Sequence, residues 1–184
     1  MCKAINIRVA GFGGQGVMMT GQLIAYCATH DNMFSLWVPS YGPETRGGTA
    51  NCSVIVSTKT IASPVFANAD VLIAFNLPSL TKYMNMVVDN GIILYNSSMI
   101  KDPVIKSGIK AYGIPVNDIA VNLGTIQVSN MAMLGAYMEF SGLFSDQTIE
   151  KVLEKFLGEK KAHLLGINKQ AIQAGREAMI QVKE

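Results

Sequence analysis

The stretch INIRVAGFGGQGV, residues 5–17, decides the fold class of this chain. Apolar residues alternate with other side chains over its first half, which predicts a β-strand at Ile5–Ala10. Glycines follow directly, and apolar residues then recur at helical spacing, which predicts a helix at Val17–His30. A strand joined to a helix by a glycine-rich turn is a Rossmann-like βα unit.

The rest of the chain continues to alternate between the two patterns. Further strands are predicted over residues 33–38, 49–57, 70–76, 91–96 and 110–116, and further helices over 77–89, 117–122, 130–140, 146–157 and 168–182. Helix 130–140 is apolar almost all round, so it should be buried. The pattern predicts a single domain over residues 1–184: a three-layer α/β/α sandwich with a mostly parallel, mixed sheet. Strand 49–57 could run antiparallel, since no crossover helix precedes it.

The composition excludes several classes of function. Hydrophobic residues make up 49% of the 184 residues and charged residues 15%, against about 25% charged in an average soluble domain. The low charge has two explanations: either other chains cover part of the surface of this protein, or its sheet is buried on both faces.

The charge and hydropathy also bear on possible partners. The net charge of +2 comes without a basic stripe, so nucleic acid is not an expected partner. No apolar run spans a bilayer and no signal peptide is recognisable, so we expect a cytoplasmic protein.

The metal-ligating and nucleophilic residues are few. Cys2, Cys27 and Cys52 are far apart and the chain has only two histidines. An iron–sulfur or zinc site needs about three or four converging ligands, so we expect no metal or cofactor held by this chain alone. No residues are spaced as a catalytic dyad or triad, so we assign no catalytic residue.

The glycine loop is a candidate binding site with several interpretations. Its residues Gly11, Gly13, Gly14, Gln15 and Gly16 satisfy G-x-G-x-x-G between a strand and a helix, where backbone N–H groups can hold a phosphate. A dinucleotide site also needs an acidic residue at the end of the next strand, and that strand ends in Pro39-Ser40-Tyr41. Anion binding and a purely structural tight turn therefore both stay open.

A second polar segment, SYGPETRGG at residues 40–48, is predicted to be irregular because it combines Pro43 with three glycines. Arg46 offers a planar fork of donors suited to a carboxylate, a phosphate or a partner chain, although a solvent-exposed arginine is the ordinary alternative. Glu44 can pair with Arg46 within the loop or across an interface, and Gly47 and Gly48 would let another backbone or a ligand approach closely.

Four segments of the chain together resemble the γ subunits of 2-oxoacid:ferredoxin oxidoreductases, which correspond to one domain of the single-chain pyruvate enzymes. They are GFGGQGV (11–17), SYGPETRGGTANC (40–52), residues 117–120 through 130–135, and residues 168–175. The form Pro-Glu-x-Arg-Gly-Gly-Thr-Ala-Asn-Cys is more similar to the 2-oxoglutarate and branched-chain members.

The resemblance implies a part in a larger enzyme. That enzyme would oxidatively decarboxylate a 2-oxoacid, with 2-oxoglutarate the first candidate, transfer the acyl group to coenzyme A and pass electrons to ferredoxin. Its thiamine diphosphate and iron–sulfur clusters would belong to the alpha, beta and ferredoxin-like delta subunits. The resemblance further implies that the γ subunit helps to cover the substrate and coenzyme A region, and the candidate residues for contacts there or at the interface are Ser40, Glu44, Arg46, Gly47, Gly48 and Asn51. The isolated chain would be inactive, and its apolar surfaces could pair into a homodimer. The alternative is a stand-alone nucleotide-binding Rossmann-like domain or dehydrogenase.

Overall fold

The computed structural model describes residues 4–41 and 49–183, which form an α/β fold. Its strands are β1 (Ile5–Phe12), β2 (Phe34–Tyr41), β3 (Thr49–Ser57), β4 (Ala69–Ala74), β5 (Val87–Asn96) and β6 (Lys110–Ile114). Its helices are α1 (Val17–His30), α2 (Leu77–Met84), α3 (Val116–Asn122), α4 (Ser129–Ser141), α5 (Asp146–Leu157) and α6 (Leu165–Lys183). Short 3-10 turns occupy Ile126–Val128 and Glu159–Leu164.

The strands form one mixed sheet in the order β2-β3-β1-β4-β5-β6. β1, β4, β5 and β6 are parallel, whereas β3 is antiparallel to both of its neighbours, β1 and β2. The predicted mixed α/β architecture is therefore confirmed, and so is the antiparallel direction of strand 49–57. All carboxyl ends of the parallel strands meet at one edge of the sheet.

The thick layer lies on one face of the sheet, where α1, α4 and α6 pack against the strands and α3 and α5 pack against those helices. Alternate residues of β1 and β3, including Ile7, Val9 and Val54, are completely buried beneath it. α4 is buried on every side, as its uniformly apolar sequence predicts: all ten residues 129–138 are buried. α5 is amphipathic as expected, and Ser145 caps it by accepting a hydrogen bond from the Thr148 N–H at 3.2 Å.

The thin layer on the opposite face contains α2, which packs against β1, β4 and β5. Asn76 caps this helix by accepting a hydrogen bond from the Ser79 N–H at 2.9 Å, and Pro78 lies in its first turn as predicted. Beyond α2, the strand β2 leaves Phe34 and Val38 49% and 37% exposed. This end of the thin layer is therefore an open sheet face.

Two glycines bring α4 and α6 into backbone contact. A Cβ atom placed on Gly135 would lie 2.0 Å from the Ile172 carbonyl oxygen, and one on Gly175 would lie 1.9 Å from the Ala132 carbonyl oxygen. Any side chain at either position would push the helices apart. Two of the family-like segments, 130–135 and 168–175, therefore meet at this crossing.

Several predicted boundaries were wrong: β1 continues through Gly11 to Phe12, β6 ends at Ile114 instead of residue 116, and α6 begins at Leu165 instead of Asn168. The helix expected over 77–89 ends at Met84, and residues from Val87 onward belong to β5, where the β-branched pair Val87-Val88 fits the pleated sheet. The strand expected to end before Pro39 continues to Tyr41, so Ser40 is not part of an irregular loop. Proline is tolerated here because β2 is an edge strand with one side unpaired.

Candidate functional site

The two segments that the sequence singles out meet at the carboxyl edge of the sheet. Phe12, which enters the glycine loop, pairs with Thr49 across the β1–β3 ladder. Tyr41, the last residue of β2, pairs with Ala50. The glycine loop and the ends of the 40–51 segment are therefore neighbours, although they are far apart in sequence.

The glycine loop is shaped mainly by packing and backbone conformation. Gly14 and Gly16 have φ angles of 91° and 77°, which favour glycine. A Cβ on Gly16 would lie 2.6 Å from Asn130 Nδ2, and one on Gly11 would lie 2.7 Å from Val17 Cγ2. Gly13 is exposed. At least three of these glycines are thus required by the tight strand-to-helix turn itself.

Gln15 holds this loop to its neighbour. Its Oε1 accepts hydrogen bonds from the Phe12 N–H at 2.7 Å and from Asn76 Nδ2 at 2.8 Å. Its Nε2 lies 3.5 Å from the Met99 Sδ. Because Asn76 also caps α2, the Gln15 side chain links the turn after β1 to the turn after β4.

A second amide connects the next two strands, and the sequence patterns did not single it out. Asn96, fully buried at the end of β5, donates from Nδ2 to Asn117 Oδ1 at 3.1 Å and to the Phe75 carbonyl at 3.4 Å. Its Oδ1 accepts from the Ser98 N–H at 3.1 Å. A signal was available in the sequence, since an asparagine follows β4, ends β5 and follows β6. At the carboxyl ends of parallel strands such residues are site candidates.

These turns surround a crevice of about 150 Å³. Its lining includes Gly14, Gln15, Asn117, Gln127 and Ser129. α1 begins beside it without a side-chain cap, so its first N–H groups favour a negative charge there. Anion binding by the glycine loop remains a prediction.

The sheet order argues against a dinucleotide site of the usual kind. In that arrangement the strand following the glycine-loop helix lies beside β1 and carries the acid that binds the ribose. Here the antiparallel β3 lies between β1 and β2. β2 ends in Ser40 and Tyr41, with no acidic side chain among its residues.

The candidate residues of the second segment fall into two groups. Ser40 is exposed on β2 and pairs with Asn51, which is 8% exposed on β3. Asn51 Oδ1 accepts a hydrogen bond from Arg8 Nη1 at 3.2 Å. The other four candidates, Glu44, Arg46, Gly47 and Gly48, lie outside the described residues.

The described thiols have the character of core residues. Cys27 and Cys52 are free and completely buried, and burial raises the pKa of Cys27 to about 12 and that of Cys52 to about 11. Both are protonated at neutral pH and poor nucleophiles.

Within residues 4–41 and 49–183, no group of three or more His, Cys, Asp or Glu side chains is arranged to hold a metal ion. No helix in the described ranges is long and apolar enough to cross a membrane.

Comparison with known protein families shows which family this chain belongs to. The sequence pattern of the pyruvate ferredoxin/flavodoxin oxidoreductase family matches residues 6–178. The chain belongs to this family. The membership expected from the four sequence segments is thereby confirmed, and the match covers nearly the whole fold described above.

Relatives within the family differ in length and in named substrate. The chain is 37% identical over 175 residues to the ketoisovalerate oxidoreductase subunit VorA of Methanothermobacter thermautotrophicus, covering 94% of this chain and 36% of the relative. It therefore spans little more than a third of that protein. It is 31% identical over 185 residues to the 2-oxoglutarate synthase subunit KorC of the same organism, covering 96% and 95% of the two chains.

Solved structures of 2-oxoacid oxidoreductases superpose closely on this chain. The 2-oxoglutarate:ferredoxin oxidoreductase of Magnetococcus marinus, with 2-oxoglutarate, coenzyme A and succinyl-CoA bound, superposes with a TM-score of 0.90 at 26% identity over 97% of this chain and 31% of its own. The keto/oxoacid ferredoxin oxidoreductase γ subunit of Geobacter sulfurreducens superposes with a TM-score of 0.81 at 27% identity, covering 96% and 99%. Family members thus carry this fold both as a separate subunit and as part of a longer chain.

Proposed function

We propose that this chain is the γ subunit of a cytoplasmic 2-oxoacid:ferredoxin oxidoreductase that acts on 2-oxoglutarate. The assembled enzyme would decarboxylate the oxoacid, transfer the resulting acyl group to coenzyme A and deliver two electrons to ferredoxin. The observation that carries the proposal is the end-to-end match to a 2-oxoglutarate synthase subunit, which covers 96% of this chain and 95% of the relative.

A second candidate substrate is a branched-chain 2-oxoacid. The relative at 37% identity, the higher value, is a ketoisovalerate oxidoreductase subunit. That relative is much longer than this chain, so the similarity covers only part of it. We place 2-oxoglutarate first because KorC subunits of several organisms are among the relatives, and because the 2-oxoglutarate:ferredoxin oxidoreductase of Magnetococcus marinus superposes with a TM-score of 0.90.

The chain's own residues support a role in completing the complex rather than in carrying out the reaction. Its two described thiols are buried and protonated, and the described residues offer no ligand set for an iron–sulfur cluster. Thiamine diphosphate, which stabilises the carbanion, and the clusters that accept electrons would be held by the alpha, beta and delta subunits.

We further propose that the 40–51 segment faces the coenzyme A and active-site region of the assembled enzyme. Ser40 and Asn51 mark its two ends at the carboxyl edge of the sheet, beside the glycine loop. Glu44, Arg46, Gly47 and Gly48 would supply the contacts between these ends, with Arg46 pairing with a carboxylate or phosphate. Neither this segment nor the glycine loop is assigned a proton transfer.

The competing function, a stand-alone nucleotide-binding domain or dehydrogenase, has less support because β3 separates β1 from β2. The two functions predict different behaviour of the isolated chain. A nucleotide at about 100 times its dissociation constant would stabilise a nucleotide-binding domain by roughly 2.7 kcal/mol. A γ subunit that binds no nucleotide would show no such stabilisation.

The deciding experiment is affinity purification of the tagged chain from its native anaerobic extract, followed by viologen reduction with 2-oxoglutarate, 2-oxoisovalerate and pyruvate in parallel. We expect co-purification of the other subunits and fastest reduction with 2-oxoglutarate. Arg46→Ala should lower this coenzyme A-dependent activity, and Arg176→Ala, on α6, serves as its control. Recovery of the chain alone, from an extract that retains the activity without it, would contradict the proposal.

A further inference from the structure

Arg8 is a charged residue in the middle of a strand whose neighbours Ile7 and Val9 are completely buried. Its side chain points to the thin layer, on the same face as its β1 neighbour Ala10 and the cross-strand residue Asn51. It is half-buried, and burial lowers the pKa of its guanidinium from the usual value. A cation partly withdrawn from water in this way gains from an accompanying anion.

Two aromatic rings hold the guanidinium in place. Arg8 Cζ lies 5.0 Å from the centre of the Phe66 ring and 5.5 Å from that of the Tyr83 ring. Tyr83 is fixed in α2, and Phe66 is the half-buried member of the otherwise exposed run 62–68. Such cation–π contacts orient the guanidinium but leave its N–H donors unused.

The Arg8 side chain has few polar partners among the described residues. Asn51 Oδ1 accepts one of its N–H groups, and an arginine side chain has five such donors. No carboxylate in residues 4–41 or 49–183 forms an ion pair with it. Lys82, whose Nζ lies 5.3 Å from the centre of the Tyr83 ring, adds a second positive charge nearby.

The sheet beside Arg8 is exposed on one side. Asn51 is paired with Ser40 on the edge strand β2, and Ser40 is exposed. Val38, two residues earlier on the same face, is also exposed. The guanidinium, the Asn51 amide and the Ser40 hydroxyl thus form a row of polar groups leading from the covered part of the sheet to its open face.

We propose that Arg8, Asn51 and Ser40 form a binding site for a carboxylate group on the thin-layer side of the sheet. The planar fork of the guanidinium matches the two oxygens of a carboxylate. Its orientation by Phe66, Tyr83 and Asn51 means that little further ordering is needed on binding. The carboxylate comes from a free organic acid or from an acidic side chain of a partner chain. The site does not depend on the oxidoreductase assignment.

The first arm of the test follows the arginine side chains of the full chain by NMR. The sequence has three arginines, Arg8, Arg46 and Arg176, so the three Nε–H signals can be assigned from single Arg→Lys variants. Acetate, glutarate, phosphate and chloride are titrated separately. A free-acid ligand predicts a saturable shift of the Arg8 signal with acetate or glutarate and none with chloride. Asn51→Ala should weaken the apparent affinity about fivefold, since the guanidinium loses its fixed orientation.

The second arm measures how much partner protein co-purifies with tagged variants. A partner carboxylate predicts that Arg8→Gln lowers recovery at least about tenfold, with Arg8→Lys in between. Arg176→Gln should leave recovery unchanged, because Arg176 is paired with Asp146 on the opposite side of the sheet. Thermal unfolding shows that each variant is folded.

The results of the two arms distinguish a free carboxylate ligand from a carboxylate on a partner chain. A response in the first arm supports a free carboxylate ligand, and a loss in the second arm supports a partner side chain. If the Arg8 signal follows ionic strength alone and Arg8→Gln co-purifies like the unchanged chain, the proposal is wrong. A stronger shift with phosphate than with acetate or glutarate would overturn the assignment to carboxylates.

Discussion

The two faces of the sheet differ in what covers them, although both are built from alternate residues of the same strands. On the thick side, Ile7 and Val9 of β1 lie completely buried beneath five helices. On the thin side, Arg8 of the same strand reaches Asn51 and two aromatic rings beside a single helix. Close packing stabilises the first face, whereas the second presents an arginine with spare hydrogen-bond donors beside an exposed part of the sheet. Substitutions that disturb the packed side should therefore destabilise the chain, whereas replacement of Arg8 should not.

The largest effect is expected where α4 and α6 touch. Gly175→Ala or Gly135→Ala would place a methyl group within about 2.0 Å of a backbone carbonyl oxygen, and backbone cannot rotate away as a side chain can. We expect a loss of about 3 kcal/mol or more in the free energy of unfolding, measured by urea denaturation.

The control lies on the same helix α6. Gly166 has no atom within 4 Å of a built Cβ, so Gly166→Ala should leave the free energy of unfolding unchanged or raise it by up to about 1 kcal/mol. Equal effects of Gly166→Ala and Gly175→Ala would contradict the packing argument.

An intermediate effect is expected where α1 crosses β3. A Cβ on Gly21 would lie 2.4 Å from Cys52 Sγ, a contact with a small side chain. Gly21→Ala should therefore cost about 2 kcal/mol. Adding Cys52→Ala should recover roughly 1 kcal/mol, measured as the coupling energy of a double-mutant cycle in urea. Simple additivity of the two substitutions would show that Cys52 is not the obstructing group.

The smallest effect, with the opposite sign, is expected on the thin side. Arg8→Met removes a half-buried cation that forms no ion pair within residues 4–41 and 49–183 and keeps apolar contact with Phe66 and Tyr83. The isolated chain should be unchanged or up to about 1 kcal/mol more stable by urea denaturation. Arg176→Met is the matched comparison, since Arg176 is paired with Asp146, and it should cost about 0.5–1 kcal/mol. A larger loss from Arg8→Met than from Arg176→Met would mean that Arg8 stabilises the free chain.

Sequence periodicity predicted the ends of two of the helices correctly. The bounds predicted from sequence for Val17–His30 and Asp146–Leu157 agree with α1 and α5. The end of α2 could not be predicted in this way, because pairing of Val87 with β4 outweighs the helical spacing. The extension of β2 through Pro39 likewise depends on β2 being at the edge, which only the assembled sheet shows.

The candidate site was predicted in part. Ser40, Asn51 and the glycine loop were identified from local patterns, and the structure brings them to one edge. The roles of Gln15 and Asn96 depend on hydrogen bonds between turns that are far apart in sequence, so no local pattern reveals the partners. Arg8 was overlooked for a different reason: it occupies an ordinary alternating position in β1. Only its ring contacts, and the lack of an ion pair with any residue that the structure describes, distinguish it.

The antiparallel direction of β3 has a consequence for how such a protein can diversify in evolution. A parallel connection needs a crossover of a dozen or more residues, usually a helix that becomes part of the core. The connection from β2 to β3 begins and ends at one edge, where Tyr41 pairs with Ala50, so no crossover helix is needed to close it. Doubling the length of such a connection costs only about 0.6 kcal/mol in closure entropy. New sequences can therefore be tried between residues 41 and 49 while the inherited scaffold remains the same.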